Sequence, residues 1–215
     1  MLIIGAKGFA KEVLEVLHQL DQTENIYFFD DVNHYNVTLL YSKYKILTDE
    51  NQAQELFINN CSKFTLGIGN PYLRYKLVEK FTYLGGQVCT LISPFAKIGH
   101  YGNSIGEGCN IMSSTILTND ILIGKCCLIN LSCTIGHDVI IGDFVEVCPG
   151  VNISGNCFVG DFTFIGTNST ILPGVKIGQN VVVGAGSVVT KDIPDNCIAV
   201  GVPAKVIETR NALDI

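Results

Sequence analysis

From position 105 onward, every sixth residue of this chain is aliphatic. The series runs Ile105, Ile111, Leu117, Ile123, Ile129, Ile135, Ile141, Val147, Ile153, Val159, Ile165, Ile171, Ile177, Val183 and Val189, fifteen steps without an exception. With aliphatics at about a third of positions, chance agreement falls below about one in a million even after choice of register. A period of six matches neither a helix face nor simple strand alternation. It matches three short strands closing a triangular coil of about eighteen residues, each coil stacked on the last with its aliphatic residues inward. Residues 105–194 are therefore predicted to form a left-handed parallel β-helix. Each buried aliphatic contributes roughly 1.5–3 kcal/mol before chain entropy is subtracted.

Two residues before each aliphatic position come small or β-branched residues such as Val139, Val145, Val151, Thr163 and Ser169, which also face inward. Cys109, Cys127, Cys133 and Cys157 fall at the same position, so they read as small packing residues. Glycine follows the aliphatic residue at 106, 124, 136, 142, 160, 166, 178 and 184, where a corner needs unusual angles or close approach. Ile98-Gly99 is an earlier repeat offset by one residue, which puts the start of the coil just after Pro94 and its end at Lys191 to Pro194.

The first ninety residues follow a different pattern. Leu2 to Ile4 is a short apolar strand, and Gly5-Ala6-Lys7-Gly8 turns into a helix whose apolar face is Val13, Leu14, Val16, Leu17 and Leu20. Ile26 to Phe29 makes a second strand ending in Asp30-Asp31. Phe64 to Ile68 makes a third, followed by Gly69-Asn70-Pro71 and a helix from Tyr72 to Phe81. Residues 33 to 47 read as short strands and a loop. Strand–helix–strand order implies a small Rossmann-like parallel sheet. The expected organisation is an α/β domain over 1–92, an all-β parallel β-helix over 93–196, and a tail over 197–215.

Composition narrows the partners. Among 215 residues, 47 % are hydrophobic and 16 % charged, yet no apolar run approaches the roughly 20 residues of a membrane span. The start, Met1-Leu2-Ile3-Ile4-Gly5, lacks a basic leader region, which points to a cytoplasmic protein without a membrane partner. A net charge of −6 with scattered basic residues disfavours nucleic acid. Nine cysteines, an odd number without a CxxC, disfavour a disulfide framework or a zinc site.

Of the histidines at 18, 34, 100 and 137, only His137 lies in the regular repeats. It comes two positions after inward-facing Ile135, so it should leave the coil near a corner and face outward. A neutral imidazole can take a proton from an attacking amine, and Asp138 beside it can fix the tautomer. The alternative is a surface histidine beside an acid. In the first half, Gly5-x-x-Gly8-x-Ala10 opens a helix whose N–H groups can receive a phosphate, although a loose glycine pattern is weak by itself. Asp30 and Asp31 end a strand where a parallel sheet binds ligands, or are simply turn acids.

Taken together, Gly5-Ala6-Lys7-Gly8-Phe9-Ala10-Lys11-Glu12-Val13, Phe29-Asp30-Asp31, Ile68-Gly69-Asn70, Ile135-Gly136-His137-Asp138 and Gly201-Val202-Pro203-Ala204-Lys205 resemble one family along essentially the whole chain. It comprises sugar O- and N-acetyltransferases, including sialic acid O-acetyltransferases and N-acetyltransferases of nucleotide-linked 4-amino-4,6-dideoxy sugars. The resemblance implies acetyl-CoA as co-substrate, a nucleotide sugar as acceptor, no metal, and a homotrimer with the acetyl-CoA cleft between subunits. It implies His137 and Asp138 as the catalytic pair, and Gly155, Gly166, Gly184, Ala185 and Lys205 against the coenzyme. Gly8, Phe9, Asp30, Asp31, Asn70, Arg74, Asn130 and Glu146 are then placed along the acceptor. Many relatives carry histidine where Phe9 and Glu146 stand; an acid at 146 near His137 would raise the histidine's pKa or hold a substrate ammonium.

The leading expectation is N-acetylation by direct attack, without an acyl-enzyme on Cys148. The rivals are O-acetylation of sialic acid or another sugar, a three-histidine zinc carbonic anhydrase, and a silent sugar-nucleotide sensor.

Overall fold

A computed structural model describes residues 1–35 and 38–213. Positions 36 and 37 of the segment expected over 33–47, and positions 214 and 215 of the expected tail, lie outside the described residues. The N-terminal half runs β1 (Leu2–Ile4), α1 (Gly8–Gln19), β2 (Tyr27–Phe29), β3 (Leu39–Leu40), β4 (Tyr44–Leu47), α2 (Glu50–Asn59), β5 (Lys63–Leu66), α3 (Pro71–Tyr83) and β6 (Gln87–Val88). These strands make one sheet in the order β3-β4-β2-β1-β5-β6, parallel except for the β3–β4 pair. The chain adds strands to one side of β1 through β4, then crosses to its other side at β5. The strand order therefore reverses between β1 and β5, the place where doubly wound sheets open a crevice.

Helix α2 is absent from the hydrophobic pattern because its buried side is thin, only Ala53, Leu56 and Phe57. Its start is set instead by Asp49, whose carboxylate accepts from the Asn51 N–H at 2.9 Å.

The second half is a triangular prism of two-residue strands whose three faces are parallel sheets. Face 1 carries Asn110–Ile111, Leu128–Ile129, Glu146–Val147, Phe164–Ile165 and Val182–Val183. Face 2 carries Ile116–Leu117, Thr134–Ile135, Asn152–Ile153, Thr170–Ile171 and Val188–Val189, and face 3 carries Leu122–Ile123, Ile140–Ile141, Phe158–Val159 and Lys176–Ile177. In each strand the second residue is the six-residue aliphatic; these side chains and the small residues two places earlier form one continuous core. Cys109, Cys127, Cys133 and Cys157 lie in that core, as their register requires.

The structure changes three details of the sequence reading. The prism begins at Leu91–Ile92, before Pro94, because this pair stacks beneath Asn110–Ile111. The left-handed backbone recurs three residues after each aliphatic, as at Ser114, Asp120, Ser132, Asp138, Phe144 and Asn156. The glycines directly after the aliphatics serve close approach of consecutive coils, since a Cβ there would strike the coil above. The tail also adds to the prism: Cys197–Val200 pairs with Val182–Val183 on face 1, and Lys205–Thr209 folds back antiparallel on it.

The N-terminal domain covers the lower part of face 1, so the outward residues Leu91, Asn110, Leu128 and Glu146 are buried. Arg74 of α3 is the central tie. It is fully buried and donates to the carbonyls of Ile68 (2.8 Å), Cys126 (2.9 Å) and Cys127 (3.3 Å), and to Asn110 Oδ1 (2.9 Å). Burial lowers its pKa from the ordinary arginine value, and these oxygen acceptors hold the charged form in place. Arg74 therefore joins the two halves and does not line the ligand crevice, contrary to its expected place.

Candidate active site

His137, Asp138 and Gly155 meet at the corner between faces 2 and 3. Asp138 takes the left-handed turn position (φ 58°), which folds its carboxylate back onto the neighbouring ring. His137 Nδ1 lies 2.7 Å from Asp138 Oδ2, and both side chains are open to solvent, at 64 % and 55 % exposure. With Nδ1 engaged by the carboxylate, Nε2 is the ring nitrogen left for chemistry.

Gly155 lies one coil above, directly against the imidazole. A Cβ on Gly155 would stand 2.7 Å from both Cε1 and Nε2 of His137, so only glycine leaves the ring its place. The amide of Gly155 is also left free by the coil above. At the equivalent step of the corner between faces 3 and 1, the N–H of Lys125, Asp143 and Gln179 donates to Asp143, Asp161 and Asp195 one coil on, at 2.7, 2.7 and 2.9 Å. Above Gly155 that place is Pro173. Among the described residues, the Gly155 N–H has no acceptor. A free amide beside an imidazole can stabilise a developing oxyanion.

The remaining predicted coenzyme residues sit elsewhere on the chain. Gly166, Gly184 and Ala185 are at the corner between faces 1 and 2, with Gly166 backed against Ala185 and Gly184 against Val200. Lys205 is exposed at the start of the last strand.

The second feature is a cavity of about 260 Å³ at the switch point of the N-terminal sheet. Its walls include Gly5, Lys7, Phe29, Asp31, Ile68 and Leu73, so they are largely apolar with a few polar groups. Gly8 begins α1, beside this cavity. Helices α2 and α3 carry side-chain caps from Asp49 and Asn70, whereas α1 has none, and its first turn holds no acidic residue. Phe9 is half-buried against the α1 core and presents no polar group there.

Asp30 and Asp31 both reach this cavity but differ in chemistry. Asp30 is occupied by its own turn: it accepts from Tyr35 Oη (2.5 Å), from Asn33 Nδ2 (3.0 and 3.1 Å) and from the N–H groups of Asn33 (3.0 Å) and Val32 (3.2 Å). Burial opposes its charge, but these bonds outweigh it and lower its pKa below the ordinary aspartate value. Asp31 is more open and pairs with Lys80 at 3.0 Å, which also reaches Glu50 at 2.8 Å. Asn70 caps α3 by accepting from the Leu73 N–H at 3.0 Å and lines a separate cavity with Phe162 and Arg210.

Glu146 and Asn130 do not lie near His137 within one chain. Glu146 is in the middle of face 1, opposite the corner that carries His137, and Asn130 is at the edge of face 1, its Oδ1 accepting from the Leu131 N–H at 2.8 Å. The spacing already contains this result. Nine residues separate 137 from 146, which is half of an eighteen-residue coil. Burial raises the Glu146 pKa against the opposing pull of Arg74. Cys148 is likewise buried, and burial with Glu146 beside it pushes its thiol up to about 12. Among the described residues, no three His, Cys, Asp or Glu side chains converge as a metal site. No helix of the described residues is long and apolar enough to cross a membrane.

Comparison with known proteins agrees with this two-part construction. The PglD N-terminal domain family matches residues 1–81, and the bacterial transferase hexapeptide family, six repeats, matches residues 156–191. No curated protein matches the chain significantly. Among solved structures, PerB from Caulobacter crescentus in complex with CoA and GDP-perosamine is 31 % identical with a TM-score of 0.87, covering 96 % of each chain. WeeI from Acinetobacter baumannii is 32 % identical with a TM-score of 0.84, covering 96 % of this chain and 98 % of its own. The acetyltransferase domain of PglB from Neisseria gonorrhoeae, in complex with acetyl coenzyme A, is 28 % identical with a TM-score of 0.86 and the same coverage.

Proposed function

The chain belongs to the sugar acetyltransferase family that joins a PglD-type N-terminal domain to hexapeptide repeats, and on that premise we propose that it N-acetylates a nucleotide-linked amino sugar of the 4-amino-4,6-dideoxyhexose type with acetyl-CoA. It is an acetyltransferase, and acetyl-CoA is its co-substrate. The observation that carries the finer reading is the corner where the Nε2 side of the His137 ring packs against Gly155, whose N–H has no acceptor among the described residues.

In this reading the sugar amine attacks the thioester carbonyl carbon, forming the C–N bond. Gly155 N–H donates to the oxyanion, and His137 Nε2 takes a proton from the nitrogen. Collapse breaks the C–S bond, and the imidazolium returns that proton to the coenzyme thiolate. Cys148 plays no nucleophilic part, since its thiol is buried and held protonated at neutral pH. The switch-point cavity takes the base, and the uncapped first turn of α1, from Gly8 onward, receives the diphosphate. Asp31 serves a ribose or base N–H better than Asp30, whose oxygens are occupied.

We assign the acetyl-transfer site to two copies of the chain. His137 and Gly155 occupy one corner, while Glu146, Asn130 and the nucleotide cavity belong to the opposite side of the prism. Face 3, which borders His137, carries a vertical stripe of exposed Leu122, Ile140 and Phe158. A second copy covering this stripe in a homotrimer would bring the two half-sites together.

The test is a panel of UDP-, dTDP- and GDP-linked 4-amino-4,6-dideoxyhexoses and sialic acid, each incubated with acetyl-CoA while free thiol is followed. Thiol release with the amino sugars supports the proposal; release with sialic acid alone replaces it by O-acetylation.

A further inference from the structure

Glu146 is a carboxylate without an adequate partner. It is 8 % exposed, and among the described residues its only donor is the Cys148 thiol, 3.8 Å from Oε1. The nearest buried cation, Arg74, directs its N–H groups to three carbonyls and Asn110 instead. On face 1 its stacking neighbours are Leu128 below and Phe164 above, both apolar. By contrast, the carboxylate of Asp30 is satisfied by its own turn. A buried carboxylate with one weak neutral donor is unfavourable unless a cation completes it.

The carboxylate also lies beside the loop that borders the cavity. It stands against the β5–α3 loop at Gly69, where a Cβ would come within 2.5 Å of Oε1, so a side chain at 69 would press on it. The residue before Gly69 is Ile68, which lines the nucleotide cavity. Gly69, on which the carboxylate bears, is therefore the chain neighbour of a cavity-wall residue, about 3.8 Å away between Cα atoms. A ligand whose base fills the cavity and whose sugar extends over Gly69 arrives at Glu146.

Resting on the amino-sugar reading above, we propose that Glu146 binds the protonated amine of the acceptor and is the residue by which the protein distinguishes an amino sugar from its hydroxy counterpart. An ammonium gains a charge-assisted hydrogen bond in a site shielded from water, whereas a hydroxyl gains only one neutral donor. Glu146 thus sets acceptor class from face 1: its carboxylate takes the first proton of the bound ammonium, freeing the nitrogen lone pair for attack, and releases it to solvent, while His137 takes the second proton from the nitrogen and returns it to the coenzyme thiolate.

The experiment uses the full-length protein and its Glu146→Gln and Glu146→Asp variants. Calorimetry without acetyl-CoA measures the affinity for a nucleoside diphosphate 4-amino-4,6-dideoxyhexose and for the same compound with a 4-hydroxyl, with GDP, UDP and dTDP forms all tried. Wild type should prefer the amine by roughly 30-fold or more. Glu146→Gln should reduce that ratio to within about threefold while leaving the hydroxy compound's affinity unchanged, and Glu146→Asp should fall between. A Glu146→Gln protein that keeps the wild-type ratio overturns the proposal, and circular dichroism with acetyl-CoA binding verifies its fold. If that variant does not fold, Glu146→Asp decides: an unchanged ratio in it overturns the proposal. Wild type that binds and acetylates the amine while the variants keep the ratio defeats this assignment alone. Wild type that binds no nucleotide-linked amine, or acetylates only hydroxyls, defeats the amino-sugar reading and this inference with it.

Discussion

Replacing Gly155 by alanine separates the position of the His137 ring from the stability of the prism. The added Cβ would stand 2.7 Å from Cε1 and Nε2 and 3.1 Å from Cδ2. Carbon contacts settle near 3.5–4.0 Å, so the ring must retreat by about 0.8–1.3 Å. The backbone itself accepts alanine, because Gly155 does not occupy the left-handed region. The ring is the far end of an exposed side chain and can swing toward solvent, so the change in stability should stay within about 0.5 kcal/mol.

Catalysis is less tolerant. A displacement of about 1 Å at a reacting group can cost on the order of 100-fold in rate, equivalent to about 2.7 kcal/mol of barrier. The Gly155 N–H survives the substitution, so the loss isolates the placement of the imidazole from the oxyanion donor. We expect Gly155→Ala to lower kcat about 100-fold with both KM values near wild type and melting temperature unchanged. Thiol release under saturating acetyl-CoA and a thermal melt read the two quantities. Near-wild-type kcat would refute the reasoning, and so would a loss of activity that tracks a loss of fold.

Four further outcomes are expected. His137→Ala should lower kcat by roughly 10²–10⁴ with acetyl-CoA affinity retained, read by thiol release and calorimetry. Arg74→Ala leaves carbonyl acceptors and Asn110 unpaired at the domain junction and should cost about 3 kcal/mol or more in urea unfolding. Ile140→Asp places a charge in the exposed face 3 stripe and should shift sedimentation at micromolar concentration from trimer to monomer. Glu146, with its pKa raised in the fold, destabilises the native state above that raised pKa, and the penalty disappears as pH falls below the ordinary value of 4.5. Glu146→Gln should therefore be more stable than wild type at pH 7–8, with the gap closing toward pH 4.5 in denaturant titrations.

The prism was legible because each register position answers to one local rule, inward and aliphatic, repeated without exception. The N-terminal sheet was legible where strands are uniformly apolar, as in β1 and β2, and obscure at α2, whose few buried positions leave no periodic stripe. Arg74 escaped for a different reason. Its partners Asn110 and Cys126 lie 36 and 52 residues away, and only the packing of two domains makes a surface-looking arginine into a buried tie.

His137 shows how far counting alone can go. Its exposure and its pairing with Asp138 follow from two residues of offset along one strand and its corner. That the amide of Gly155 meets no side-chain acceptor one coil on also follows from sequence once the coil length is known, because position 173 is proline. The same count sends Glu146 half a coil away, to the side that the N-terminal domain covers. An acid there cannot tune His137 of its own chain. Under the proposals above it acts on the acceptor that the N-terminal domain delivers, while the base comes from the opposite corner of another copy. On that arrangement each chain holds an acceptor for its neighbour's imidazole, and at subsaturating amino sugar a mixture of His137→Ala and Glu146→Gln proteins should acetylate faster in mixed trimers than either variant does alone.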